Sequence, residues 1–267
     1  MRTNNPYMKS GKILFGAHRG DRKHCPENTM PAFRAAAEIG CDVIETDVRT
    51  TKDGHLILIH DRDVVRTTNG SGFVDQMTLE EIRALDAGGW KDPAFAGEKI
   101  PTVVEFLDFI SKTDLLINWE LKEYPEELGE AQAYGCVDKL VELIDRYGLA
   151  ERSMMNSFSQ KVLEYVDKKW PGKFMIHGYI GYTKKDVSES PLESFLDWTA
   201  IWRKDADHIT GFAEDYAYAD EREILTCILV PDTEEQYKKA LDMGCRMFTS
   251  DDPAAGVAVL KKLGKRA

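Results

Sequence analysis

Cysteine is scarce and unpatterned in this sequence. Cys25, Cys41, Cys136, Cys227 and Cys245 are odd in number and widely spread. They follow neither a metal-ligand spacing nor a disulfide framework, so reduced core thiols in a cytoplasmic protein are expected. Positive charge is short as well. With 35 Lys and Arg against 46 Asp and Glu, the formal charge is −11, and the basic footprint that grips a phosphate backbone is missing. Neither nucleic acid nor the anionic face of a membrane is an expected partner. No apolar run approaches the roughly 18 residues of a spanning helix. Met1 to Ser10 lacks the apolar stretch of a signal peptide. Apolar residues in total are not lacking: at 43% of 267 residues they supply a large core and exclude disorder. That length fits two average domains or one α/β barrel of about 250 residues.

Short apolar, β-rich runs alternate with longer stretches of helical period. Ile13–Ala17, Asp42–Val48, Leu56–His60, Leu115–Leu121, Met154–Ser157, Phe174–Ile180, His208–Phe212, Ile224–Val230 and Arg246–Thr249 read as strands. Amphipathic segments such as Met30–Ile39, Val137–Tyr147, Gln160–Lys169 and Glu234–Met243 separate most of them. Strand-then-helix cadence signals βα units and a parallel sheet. The first helix has capping oxygens at Asn28 and Thr29, Pro31 in its first turn and Gly40 at its end.

Nine strands are one too many for an eight-stranded barrel. Only Arg49 to His55 separates Val48 from Leu56, too little for the dozen or more residues of a parallel crossover. Asp53-Gly54 is a hairpin turn signal. Leu56–His60 is therefore expected to return antiparallel, leaving eight parallel strands to close a TIM (β/α)8 barrel. With the turn centred on Asp53-Gly54, Asp47 and His60 are equidistant from it and expected opposite one another. Glu45 then lies two residues deeper on the same face. Asp61 to Ile100 breaks the cadence, is dense in glycine and holds one clear helix, Leu79–Leu85. It reads as an insertion, residues 61–100, on the rim of a single barrel domain spanning 1–267.

Several motifs then occur in one order: His18-Arg19-Gly20, Pro26-Glu27-Asn28-Thr29, Glu45-Thr46-Asp47, Thr51-Lys52-Asp53-Gly54, His60-Asp61, Arg66-Thr67-Thr68-Asn69-Gly70, Ile100-Pro101-Thr102, Glu120-Leu121-Lys122, Ser157-Phe158 and Ser250-Asp251-Asp252-Pro253. Together they resemble the glycerophosphodiester phosphodiesterases over roughly Gly16 to Pro253. The resemblance implies a TIM barrel with two catalytic histidines and a carboxylate-bound divalent cation. It also implies a small-molecule glycerophosphodiester substrate, cleaved to glycerol 3-phosphate and an alcohol. It weakens in the second half. Family members often carry a tryptophan where this chain reads Cys227-Ile228-Leu229-Val230, and 182–197 and 211–220 match no family feature.

The chemistry agrees with the residue types. Cleaving a phosphodiester needs charge neutralisation, an activated nucleophile and a proton for the leaving oxygen. Glu45, Asp47 and Glu120 offer hard oxygen ligands suited to Mg²⁺ or Ca²⁺. His18 and His60 suit general acid and base; Arg19 and Lys122 suit the phosphate, one as a fork and one as a point charge. Supporting positions are Glu27 and Asn28 at the loop and helix start, Asp61, Ser157, and Asp251, which stands behind the site or in a helix cap. His24, His55, His177 and His208 have no matching role and are expected exposed or hydrogen-bonded, and Cys25 is incidental. Trp90, Tyr179, Tyr182, Trp198 and Trp202 are mostly core, with one or two available to wall a substrate pocket. Two other readings use the same residues: a lysophospholipase D-like hydrolase of lysophospholipids, and a non-catalytic phosphodiester-binding barrel.

Overall fold

The backbone groups of each β-rich run need hydrogen-bond partners, and for the eight parallel strands closure supplies them on both edges. A computed structural model describes residues 10–181, 186–201 and 211–266. Among these residues lie β1 (Leu14–His18), β2 (Val43–Thr50), β3 (Leu56–Leu58), β4 (Leu116–Leu121), β5 (Ser153–Asn156), β6 (Met175–Gly178), β7 (Trp198–Ala200), β8 (Leu225–Leu229) and β9 (Met247–Ser250). Their order is β1-β9-β8-β7-β6-β5-β4-β2-β3, and β1 also pairs with β2. Eight parallel strands thus close into a barrel, and β3 alone runs antiparallel, on the last residues of β2. The helices are α1 (Met30–Ile39), α2 (Leu79–Ala84), α3 (Val103–Ile110), α4 (Pro125–Leu128), α5 (Glu130–Tyr147), α6 (Gln160–Lys169), α7 (Ala213–Asp220), α8 (Glu234–Asp242) and α9 (Pro253–Lys262).

Two expectations need correction. The strand completing the barrel after β6 is Trp198–Ala200, paired with His177-Gly178 on one side and Leu225–Cys227 on the other. Residues 208–210 of the run expected there lie outside the described residues, and Gly211 and Phe212 are not in a strand. Three residues containing Thr199 give too short a period-2 pattern to read in advance. The hairpin register is also shifted by one. Val48 stands opposite Leu58, and the Ile59 N–H donates to the Asp47 carbonyl at 3.0 Å. The turn is a three-residue loop, Lys52–Gly54, closed by Thr51 N–H to the His55 carbonyl, with Gly54 left-handed at φ 83°. That geometry is the next most common hairpin after the two-residue turn expected at Asp53-Gly54. A one-residue slip flips a regular strand's faces, but β3 ends at Leu58, so His60 is freed from strand alternation before the error could matter.

Alternation along the parallel strands sets a polarity gradient inside the barrel. Leu14, Val43, Leu116, Met154, Met175, Trp198, Cys227 and Met247, one from each barrel strand, form an apolar floor. Two residues further along the same strands stand Glu45, Asn118, Asn156 and His177, and beyond them Asp47 and Glu120, all buried. The outward faces pack under the helices, where Phe15, Phe33, Phe106, Trp119 and Phe248 are fully buried. Residues 61–100 build a smaller apolar cluster from Val64, Val74, Ile82, Ala87 and Ile100, seated on Ile57 and Ile59.

Candidate active site

The carboxy ends of β1, β2 and β4 bring four ionisable groups together. Parallel register sets His18 beside Glu45 and Asp47 beside Glu120. One carboxylate oxygen from each of Glu45, Asp47 and Glu120 lies within 4.8 Å of the others. Glu45 Oε2 accepts the Arg19 backbone N–H at 2.8 Å, while Glu45 Oε1 is buried without a partner. Asp47 Oδ2 accepts from Asn28 Nδ2 at 2.7 Å and lies 3.2 Å from Arg19 Nε. Lys122 Nζ is 3.2 Å from Asp47 Oδ1 and touches Glu120 Oε1.

These contacts separate the carboxylates electrostatically. Burial, then the like charges of Asp47 and Glu120, push the Glu45 carboxyl well above the usual range. Burial acts on Asp47 in the same direction, but Lys122 and Arg19 outweigh it and hold Asp47 well below that range. Glu45 therefore needs a further positive charge to ionise, whereas Asp47 already has two.

Both predicted histidines reach this cluster, each held from behind. His18 Nδ1 lies 2.6 Å from Asp251 Oδ1, and its Nε2 is 3.9 Å from Glu45 Oε2. His60 Nδ1 lies 2.7 Å from Asp61 Oδ1. An aspartate accepting at Nδ1 selects the tautomer that leaves Nε2 bare. Burial lowers the proton affinity of His60 against the opposing pull of Asp47, and Lys122 and Arg19 lower it further. Asp251 is thus the support of His18, and its neighbour Asp252 caps α9 through the Ala255 N–H.

The loop from His18 to Asn28 is backbone-strained where it meets the cluster. Arg19 and Asn28 are left-handed, at φ 59° and 55°, a conformation that costs a non-glycine residue on the order of 1–3 kcal/mol. The Asn28 N–H donates to the Arg19 carbonyl at 3.0 Å, and Asn28 Oδ1 accepts from Thr46 Oγ1 at 2.8 Å. The expected caps of the first helix are therefore used elsewhere. Asn28 serves Asp47, and Thr29 Oγ1 donates to the Pro26 carbonyl at 2.6 Å, so α1 has no side-chain cap. Gly40 does close it, at φ 87°. Gly20 is left-handed at φ 76°, and a Cβ there would stand 2.7 Å from the Ala32 carbonyl carbon, so the third position of His18-Arg19-Gly20 needs glycine twice over.

Other expected positions distribute differently. Ser157 Oγ donates to the Leu121 carbonyl at 3.0 Å, tying the ends of β4 and β5. His24 faces Asp21 at the loop surface, and the buried Cys25 thiol is pushed up by burial and Asp21. Tyr182, Trp202 and His208 lie outside the described residues. Three arginines were given no role by the sequence, although Arg66 stands in one of the motifs quoted above. Arg49 follows Glu45 and Asp47 on the same strand face; it donates to the carbonyls of His60 at 3.0 Å and Lys122 at 3.1 Å. Its parity was the available signal. Arg22 and Arg66 bind acidic residues far away in sequence, which no local pattern reveals.

Fold and site define a class: a (β/α)8 barrel with a buried three-carboxylate cluster at the strand ends, flanked by two histidine–aspartate pairs. Residues 18–207 match the glycerophosphoryl diester phosphodiesterase family model. The chain belongs to that family. A glycerophosphodiester phosphodiesterase of Caldanaerobacter subterraneus subsp. tengcongensis is 48% identical over 160 residues, 60% of this chain and 64% of that protein. One from Bacillus subtilis is 33% identical over 178 residues, 61% of this chain and 58% of its own. The chain thus spans less than two thirds of the length of these curated relatives. An Oleispira antarctica phosphodiesterase, solved in complex with the product sn-glycerol-3-phosphate, shares the fold with TM-score 0.82 at 24% identity, over 95% of this chain and 99% of that one. A glycerophosphodiester phosphodiesterase of Agrobacterium tumefaciens does so with TM-score 0.71 at 24% identity, over 91% and 97%. At these identities the likeness is one of fold. Among the described residues no helix is long and apolar enough to cross a membrane.

Proposed function

We propose that this chain hydrolyses glycerophosphodiesters to sn-glycerol 3-phosphate and an alcohol, as a single domain in which residues 61–100 form part of the site's rim. One observation carries the reading: two histidines, each with Nδ1 held by an aspartate, flank one buried carboxylate cluster. A binding protein has no need of two oriented proton carriers. The names of the matched relatives, and the product bound to the Oleispira protein, support the same reaction.

Glu45, Asp47 and Glu120 fit a hard divalent cation, Mg²⁺ or Ca²⁺. All donors are carboxylate oxygens, and the orphaned Glu45 Oε1 has no other means of satisfaction among the described residues. Such a cation, when bound, neutralises phosphate charge and acidifies a nearby hydroxyl. The chain's own residues supply the rest. Arg19 and Lys122, both mostly buried, offer positive charge to the phosphate in a site of low dielectric. Of His18 and His60, one accepts the proton of the attacking hydroxyl and the other returns a proton to the departing alkoxide. The same two transfers serve attack by water, which gives glycerol 3-phosphate directly. They also serve attack by the substrate's own glycerol 2-hydroxyl, which gives a cyclic phosphate that water then opens with the two histidine roles exchanged.

The test is an assay with Mg²⁺ or Ca²⁺ across glycerophosphocholine, glycerophosphoethanolamine and glycerophosphoglycerol, reading glycerol 3-phosphate. Release from at least one is expected. Binding without release from any of them would refute the proposed activity.

A further inference from the structure

Glu27 stands outside both the carboxylate cluster and the histidine pairs, yet three guanidinium groups converge on it. Arg19 Nη1 donates to Oε1 at 2.7 Å. Arg66 donates from Nη2 to Oε1 at 2.7 Å and from Nη1 to Oε2 at 2.9 Å. Arg22 Nη2 lies 3.2 Å from Oε2. Burial disfavours the charged carboxylate, but the arginines, Arg66 foremost, hold it down at about 2. A single bidentate arginine neutralises a carboxylate and fills two of its roughly four acceptor sites, so charge balance does not by itself require three.

Each arginine also holds a second carboxylate, and each of those has a separate task. Arg19 Nε is 3.2 Å from Asp47 Oδ2 in the cluster. Arg22 Nη1 is 3.4 Å from Asp251 Oδ1, the same oxygen that holds His18 Nδ1. Arg66 Nε donates at 2.6 Å to Asp61 Oδ2, whose other oxygen holds His60 Nδ1. Arg22 comes from the loop after β1 and Arg66 from the 61–100 segment. Glu27 is the point at which the supports of both histidines meet.

We propose that Glu27 is a positioning residue, anchoring Arg22 and Arg66 so that Asp251 and Asp61 present His18 and His60 to the same cluster. The inference rests on the acid–base reading of those histidines. Its physical basis is competition. Arg22 Nη1 already lies 3.4 Å from both Asp251 Oδ1 and His18 Nδ1. Without the pull of Glu27, the Arg22 fork closes on Asp251 and takes the oxygen that fixes the His18 tautomer. Arg66 does the same to Asp61, and both proton carriers lose orientation together.

The test is Glu27→Gln, which keeps shape and removes charge, assayed on glycerophosphocholine beside His18→Ala and His60→Ala. The expected kcat loss is about 10–100-fold, the usual effect of a residue that orients a reacting group. KM should stay within about threefold, the split expected when orientation rather than binding is lost. The pH profile of kcat should change on both limbs. In an Arg22→Gln/Arg66→Gln background the added effect of Glu27→Gln should shrink below about threefold, because the arms it restrains are gone. Glu27→Gln with kcat within about threefold of the parent, or an equal loss in both backgrounds, overturns the proposal. Should Glu27→Gln fail to fold, Glu27→Asp carries the test, because the shorter carboxylate slackens its hold on both arms, and a kcat within about threefold of the parent overturns the proposal. If the histidine variants stay active, the acid–base reading itself fails; if they are inactive while Glu27→Gln is active, only this inference falls.

Discussion

His177 should make the barrel acid-sensitive from the inside. Its ring is 0% exposed in the barrel interior, 3.4 Å from Asn118 Nδ2 and 3.2 Å from Cys227 Sγ. An amide N–H pointing at Nδ1 requires a bare nitrogen there, and among the described residues no carboxylate pairs with the ring to compensate an imidazolium. Burial alone lowers its pKa to about 3 from the ordinary 6.5. The sign follows directly. Between those values the unfolded chain carries a proton on His177 that the folded chain refuses, so stability falls as pH falls from 6.5 toward 3. The slope is about 1.4 kcal/mol per pH unit, which amounts to about 2 kcal/mol between pH 7.5 and pH 5. Urea unfolding at those two pH values, on the parent and on His177→Asn, isolates the term, because carboxylates shared by both proteins cancel. The parent should lose about 2 kcal/mol more than the variant on acidification. Equal losses in the two would refute the claim that His177 is held neutral by burial.

Other outcomes can be checked more briefly. His18→Ala and His60→Ala should each lower turnover by roughly 10²–10⁴-fold with unchanged circular dichroism, the range for loss of one proton carrier. Excess chelator should abolish glycerol 3-phosphate release and added Mg²⁺ or Ca²⁺ restore it; full activity in chelator would exclude the cation from the reaction. Gly20→Ala should destabilise by more than about 1 kcal/mol in thermal unfolding, because it puts a side chain on a left-handed residue against the Ala32 backbone. An unchanged midpoint would mean the loop after β1 relaxes freely.

How much of this was legible in advance differs by residue. Glu45, Asp47 and Glu120 could be foreseen as neighbours because strand alternation and parallel register are local rules repeated along the chain. The hairpin after β2 was foreseeable from Asp53-Gly54, but not its loop length. That depends on Thr51, whose hydroxyl binds Asp53 Oδ1 at 2.6 Å and accepts the His55 N–H at 2.9 Å. Asn28 looked like a helix cap because capping is the commonest local use of asparagine before a helix; the Asp47 carboxylate, brought close only by β2, outcompeted that use. The strand at Trp198–Ala200 is too short to announce itself, and the apolar floor of the barrel recruits it.

By itself, then, the sequence determined the alternation of strand and helix, the closure of eight parallel strands, and the residue types at their carboxy ends. Those follow from periodicity and turn chemistry, which act over a few residues. Only the tertiary structure decided which partner each charged group received. His18 finds Asp251 at the far end of the chain, Arg66 reaches back to Glu27, and Arg49 holds the His60 carbonyl. Closure of the first strand on the last creates the His18–Asp251 contact, and the β2–β3 hairpin and the 61–100 segment supply the others. Electrostatic pairing in a buried site then selects among them. No window of sequence contains that choice, because the groups that compete for each carboxylate become neighbours only after the chain has folded.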